Sequence, residues 1–356
     1  MSYTNGLDKP SDYFNTVLYT GTGSATSITG VGFQPDLVWI KRRNTTSSHR
    51  LVDVVRGATN YLQSDTTDAE GSTGNVSSFD SDGFSHSAGG VAYNASGSTY
   101  ASWNWLAGGT GVSNTQGNIT STVSANTTSG FSIVSWTGTG ANGTVGHGLG
   151  TTPAMIITKA RSSYGSDAWY VVHQKSWNND GDGLVLSNTA SVYDRVTDLL
   201  GTGITAWDSS TFTINQGTAT YLNNTSIPYI GYCWSEVKGF SKFGSWVGNG
   251  STDGTFVYTG FKPSFVMFKS SSNTSSWGIV DNKRDLYNLG GIALIANGSD
   301  AEFTPASSGY AMDFLSNGIK LRGGTSQPNT SGQTYIYMAF AESPFTTSTG
   351  IPTTAR

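Results

Sequence analysis

Three segments of this chain open with one pattern, and that repetition limits the folds open to it more than any other feature. The first runs Val17-Leu-Tyr-Thr-Gly-Thr-Gly23, then Gly30-Val-Gly-Phe-Gln-Pro-Asp-Leu-Val-Trp-Ile-Lys41. The second runs Ile133-Val-Ser-Trp-Thr-Gly-Thr-Gly140, then Gly146 through Pro153-Ala-Met-Ile-Ile-Thr-Lys159. The third runs Gly244-Ser-Trp-Val-Gly-Asn-Gly250, then Tyr258-Thr-Gly-Phe-Lys-Pro-Ser-Phe-Val-Met-Phe-Lys269. Pro35, Pro153 and Pro263 lie 118 and 110 positions apart, and Lys41, Lys159 and Lys269 keep the same intervals. Each copy also closes on an aromatic run: Tyr100–Trp105, Tyr229–Trp234 and Tyr335–Phe340. Self-similarity at such a period means one module written three times.

The apolar run after each proline is continuous rather than alternating, which predicts a strand covered on both faces. Proline is tolerated at the start of such a strand, where its missing N–H costs no ladder bond. Phe79-Asp-Ser-Asp-Gly-Phe84 and Phe314-Leu-Ser-Asn-Gly-Ile319 predict two-residue hairpins with Asp-Gly and Asn-Gly in type I′ turns. Copy two, Trp207-Asp-Ser-Ser-Thr-Phe212, lacks the glycine, so its turn should be longer or differently formed. Composition agrees: 46 glycines, 12% aromatic and only 12% charged residues describe short strands and turns, not helices or disorder. The fold class expected is all-β, as three tandem β-sandwiches (jelly-roll or lectin-like) of about 110 residues. The expected boundaries are an arm at 1–12, repeats at 13–108, 129–239 and 240–346, and a tail at 347–356. The Gly/Ser/Thr/Asn-rich stretch 109–128 reads as a partly flexible linker, leaving copy one free to pivot while copies two and three are rigidly docked. Pseudo-threefold packing of the copies is a further arrangement, against which the unequal junctions argue.

Net charge is −4 and no basic stripe occurs, so nucleic acid is not an expected partner. Cys233 is alone, which excludes an internal disulfide framework. Neither a signal-peptide core nor a membrane-spanning run is evident, and membrane insertion is not expected.

Few residues stand out chemically. Leu51-Val-Asp-Val-Val-Arg56 and Ile279-Val-Asp-Asn-Lys-Arg284 align, giving Asp53/Arg56 and Asp281/Arg284, whereas copy two has His173 and Ser176 there. Two readings fit: a salt bridge fixing a loop at the strand's end, or a carboxylate–guanidinium pair for sugar hydroxyls, with His49 and Trp277 four positions upstream. Asn178, Asp180 and Asp182 before Gly183 resemble the start of a calcium loop, but Thr189 stands where the bidentate Glu belongs. A Gly/Asp-rich turn is the expectation there, with Trp177 a candidate sugar-stacking residue. Gly138-Thr-Gly-Ala-Asn-Gly143 satisfies G-x-G-x-x-G, yet no helical period follows, so dinucleotide binding is rejected. No nucleophile or metalloprotease motif occurs and the four histidines are scattered. The chain is read as a non-enzyme without cofactor, metal or catalytic residue. The candidate glycan-binding set is Asp53, Arg56, Trp177, Trp277, Asp281 and Arg284.

Gly32-Phe-Gln-Pro-Asp-Leu-Val-Trp-Ile-Lys-Arg-Arg43, Ser48-His-Arg-Leu51, Val55-Arg-Gly-Ala58 and Gly239-Phe-Ser-Lys-Phe-Gly-Ser245 resemble a repeat in virion proteins of marine tailed phages such as cyanophages. The resemblance covers about residues 14–345. It implies a virion structural or surface protein (tail, fibre or capsid appendage) made in the host cytoplasm. The expected partners are other virion proteins, further copies of the chain and host-surface polysaccharide. A stand-alone lectin-like adhesin and a tailspike-type glycan depolymerase are the alternatives.

Overall fold

A computed structural model describes residues 7–162, 169–173, 182–199, 201–217, 222–303, 310–324 and 327–354. Each copy folds as a sandwich of two antiparallel sheets, so the fold is all-β. In module 1 the larger sheet runs Phe14–Thr20, Thr99–Trp105, Leu37–Arg42, Arg50–Asp53. The aromatic closing strand therefore lies between the opening strand and the lysine-bearing strand. Modules 2 and 3 repeat this order with Phe131–Thr137, Pro228–Trp234, Met155–Ala160, Tyr170–His173 and with Ser241–Val247, Thr334–Pro344, Phe261–Ser270, Gly278–Asp281. A three-stranded sheet covers one face of each: Thr26–Ile28, Gly83–His86 and Val76–Asp80 in module 1, with counterparts in modules 2 and 3.

The continuous apolar runs are buried on both faces, and side-chain alternation along a strand decides which face each residue serves. Val38 and Ile40 join Phe84 and Tyr100 in the module's own core. Leu37 and Trp39 point the other way, into a cluster drawn from all three modules. Ile156 and Val266 repeat the first role. Met155, Ile157, Phe265 and Met267 repeat the second. Where the modules meet, the closing residues Trp105, Trp234 and Phe340 converge, with ring centroids 6.3 Å (Trp105–Trp234) and 5.7 Å (Trp105–Phe340) apart.

Three expectations need correction. The stretch 109–128 is no flexible linker: Val112–Asn114 and Ser121–Asn126 extend the second large sheet beside Phe131–Thr137. Asp36 Oδ2 also accepts from the N–H of Ala107 (2.7 Å) and Gly109 (3.1 Å), pinning the start of that stretch to module 1. Module 1 accordingly does not pivot; it shares the central cluster with both neighbours.

The hairpin glycines do not sit inside type I′ turns either. Asp80 pairs directly with Gly83, and Leu315 with Gly318, so the turn residues are Ser81-Asp82 and Ser316-Asn317. Glycine is required because the adjacent strand passes close: a Cβ would lie 1.9 Å from Ile28 O at Gly83 and 2.3 Å from Val257 O at Gly318. In module 2 the last pair before the turn is Trp207–Phe212, the longer loop expected.

The chain ends of the described structure meet. Ser348 N–H donates to Asp8 Oδ1 at 2.7 Å. No helix among the described residues is long and apolar enough to cross a membrane.

Candidate functional site

The thrice-kept lysine is the first residue the fold explains. Lys41, Lys159 and Lys269 are fully buried. A buried ammonium needs acceptors for its three donors. Each takes one from the carbonyl after it on its own strand: Arg42 O (2.8 Å), Ala160 O (2.8 Å) and Ser270 O (3.2 Å). Further acceptors come from a neighbouring module, while Lys269 Nζ also reaches Ser275 Oγ of its own module at 3.4 Å. Lys41 Nζ donates to Ser299 O (3.2 Å) and Asp300 O (2.7 Å) of module 3. Lys159 Nζ reaches Thr67 O of module 1 at 3.3 Å, and Lys269 Nζ reaches Thr189 O of module 2 at 3.0 Å. The acceptors Thr67, Thr189 and Ser299 lie 122 and 110 positions apart, so the three contacts are equivalent. Module 1 leans on 3, 2 on 1, and 3 on 2, and the ring closes.

Other groups follow the same rotation. Trp169 Nε1–H donates to Gln63 O (2.8 Å) and Trp277 Nε1–H to Val185 O (3.0 Å). His49 fills that place in module 1. Its Nδ1 accepts from Trp39 Nε1–H (2.8 Å), which leaves Nε2–H facing Ile295 O at 2.9 Å. Burial holds His49 well below the ordinary imidazole range, so the ring is neutral. Arg43 forms a bidentate pair with Glu302 (2.8 and 2.8 Å), and Arg161 does so with Glu70 (3.0 and 2.8 Å). The glutamates of both pairs also donate their main-chain N–H to the arginine carbonyl (2.8 and 2.8 Å), and at the third junction, where Ser271 takes the arginine's place, Val192 N–H donates to Ser271 O at 3.0 Å.

Five of the six glycan candidates lie in these junctions. Asp53, Arg56, Asp281 and Arg284 have side chains with 0% exposure, and Trp277 is buried. Asp53 Oδ2 binds Arg56 Nε (2.6 Å) and accepts from the Tyr232 hydroxyl of module 2 (2.8 Å). Asp281 Oδ2 binds Arg284 Nε (2.6 Å) and accepts from Trp103 Nε1–H of module 1 (3.0 Å). Oδ1 of each aspartate caps the following turn, accepting from Arg56 N–H and Arg284 N–H at 2.9 Å. The sugar-binding expectation for these residues is therefore corrected: no face of either pair is open to a ligand in the folded chain. Their work is the fixing of loops and junctions. His173, the module 2 counterpart, lies with Nε2 3.2 Å from Tyr337 O of module 3. Trp177, Ser176, Asn178 and Asp180 lie outside the described residues. Asp182 Oδ1 accepts from Arg195 N–H at 2.8 Å. Among the described residues no group of three or more His, Cys, Asp or Glu is arranged to hold a metal.

One repeated residue escaped the sequence reading. Asn94, Asn223 and Asn329, each fully buried, stand six positions before the tyrosine that opens each closing run. Their Oδ1 atoms accept from the N–H of Thr22 (2.8 Å), Thr139 (3.3 Å) and Asn249 (3.0 Å), clamping the Gly-x-Gly turn. The tyrosine hydroxyls of Tyr100, Tyr229 and Tyr335 accept from the residue after each asparagine. A search for polar residues at constant distance from the closing run would have found the clamp.

Burial lowers Lys41 from 10.5 to about 8 and Lys269 from 10.5 to about 7. Between about pH 7 and 10.5 the unfolded chain then binds more protons at these lysines than the folded one, so stability rises with pH there and is lost as pH falls through the folded values. Unfolded-state histidines, near 6.5, titrate below this window. The urea midpoint is expected to climb from pH 7 to 9, and Lys269→Met to flatten the climb. A midpoint that falls across this range would contradict the assignment.

The arrangement defines a class: an all-β protein in which three sandwiches close into a ring through buried, cyclically equivalent junctions. The chain belongs to the family described as Domain of unknown function (DUF7483), whose model matches residues 9–344, all three modules at once. No curated protein and no solved structure matches it.

Proposed function

We propose that this chain is a non-enzymatic structural component of a bacteriophage virion, part of a tail, fibre or capsid appendage, with host-surface glycan contact as a second role. The observation that carries the structural part is the closed ring. Its recurring lysines and Asp–Arg pairs hold modules together, which is the work of a rigid building block and not of bond chemistry. A fused trimer of this kind offers three near-equivalent outer faces, which suits a seat on a threefold axis of a particle. The phage assignment rests on the resemblance of the Gly32–Arg43 and Gly239–Ser245 strings.

Mass spectrometry of density-purified particles is the direct test. The chain is expected in fixed ratio to the other virion proteins, and in imaging at a threefold or pseudo-threefold position. Its absence from washed particles would refute the reading.

A further inference from the structure

We infer that the open edge of module 3 docks an extended, uncharged segment of a neighbouring protein, which adds a strand there as residues 117–126 do in module 2. In module 2 that segment closes one side of the sandwich. Ser121–Asn126 pairs with the edge of the large sheet, Ser124 opposite Ile133 and Thr122 opposite Ser135. Just before it, Ile119 N–H donates to Thr144 O at 3.0 Å and Thr144 N–H donates to Asn118 Oδ1 at 2.6 Å, covering the edge of the small sheet. Ile119 and Val123 are buried in the core closed in this way.

Module 3 has both edges but, among the described residues, no such segment. Ser241–Val247 is the last strand of its large sheet and Phe256–Tyr258 the last of its small one. Thr255 Oγ1 donates to Val247 O at 2.7 Å, tying the two edges together at one end. At the other end a cleft of about 200 Å³ is lined by Ser241, Lys242, Tyr258 and Gly260, among others. Gly248 N–H donates to Gln333 O and Ala341 N–H to Phe240 O. Ladder bonds alternate along a strand, so the N–H groups of Ser245 and Val247 face the open side.

Comparison of the modules points to an edge that is built to be covered. The ladders place Thr20, Thr137 and Val247 at one position. They place Ser27, Thr144 and Phe256 at a second, and Thr29, Gly146 and Tyr258 at a third. In module 1 these positions are polar and exposed. In module 2 the covering chain passes so close that a Cβ at Gly146 would lie 2.0 Å from Asn114 Oδ1. Module 3 is apolar at all three: Val247, Phe256 and Tyr258 are 54, 44 and 54% exposed. Open edges are normally guarded by polar or charged side chains. Apolar side chains clustered beside unpaired main chain instead suit the addition of a strand. A second copy has no such segment to spare, because its Ser121–Asn126 is already paired on both sides. The donor is therefore a different protein. Its segment is uncharged, as residues 117–126 are, since the three side chains are apolar and Lys242 is already paired with Glu236 at 2.6 Å.

The full chain is titrated with a fluorescent peptide of residues 117–126, and amide exchange is followed by NMR. The peptide is expected to bind and to slow exchange at Ser245 and Val247, with Phe14–Thr20 of module 1 unchanged. A copy of the peptide carrying Ile119→Asp and Val123→Asp is expected to bind at least about tenfold more weakly, because its two plugging side chains can no longer be buried. The double variant Phe256→Ser, Tyr258→Ser is expected to weaken binding about tenfold, the loss of two partly buried apolar contacts, with the urea midpoint level because both side chains are largely in water in the free chain. No binding, slowed exchange at Phe14–Thr20 in place of Ser245, equal binding of the Asp-bearing peptide, or undiminished binding by the double variant would each overturn the assignment. Self-association of the chain that the peptide reverses would overturn it too, by making a second copy the occupant. Peptide binding tests the edge and particle composition tests the virion role, so either can fail without the other.

Discussion

Asp281→Ala is expected to destabilise the chain by about 3–5 kcal/mol, the range for removing one partner of a buried ion pair. The guanidinium of Arg284 would keep one close acceptor, Ile279 O at 2.9 Å, and a distant carboxylate, Glu302 at 3.8 Å. Trp103 Nε1–H would lose its acceptor as well. Asp53→Ala should cost less, because Glu70 stands 3.0 Å from Arg56 Nη1 and still neutralises it. Urea midpoints of the two variants, taken with their slopes, check the order. Equal losses, or losses under about 1 kcal/mol for both, would mean that the pairs carry little of the junction.

Residues 240–346 expressed alone are expected to yield no folded monomer. Phe265, Met267, Trp277, Ile279, Ile336, Met338 and Phe340 all belong to the shared central cluster. Exposing such side chains forfeits about 1.5–3 kcal/mol each, so their sum, roughly 10–20 kcal/mol as an upper figure, matches or exceeds a typical domain's whole stability. Lys269 would also lose Thr189 O, its acceptor from module 2. Because the junctions are head-to-tail, three copies of one module could close a ring of their own, so the fragment should be unfolded or trimeric. Circular dichroism with sedimentation velocity distinguishes these states. A folded species at monomer mass would refute the interdependence of the modules. The intact chain, by the same reasoning, should melt in one transition.

Much of this architecture was legible in the sequence. The constant spacing of Pro35, Pro153 and Pro263 marks the modules, and the unbroken run Leu37-Val-Trp-Ile40 marks a strand covered twice. What covers the second face was not legible, because a strand buried by its own sandwich and one buried by a neighbouring module carry the same residues. The role of Lys41 was hidden for a related reason: its acceptors are main-chain carbonyls, which any residue supplies. Asp53 and Arg56 showed their mutual spacing but not whether the pair faces solvent. In Ser121-Thr-Val-Ser-Ala-Asn126, composition outweighed alternation, and a strand passed for a linker.

The bond between Asp8 and Ser348 has a consequence for how such a molecule can be encoded. The ring has three junctions, and the chain passes directly from module 1 to 2 and from 2 to 3, leaving the junction of 3 with 1 to side-chain and main-chain contacts. With its ends adjacent there, the ring has no structural first module. A chain opened between the first and second copies, with residues near Asp8 and Ser348 joined instead, would keep all three junctions in place.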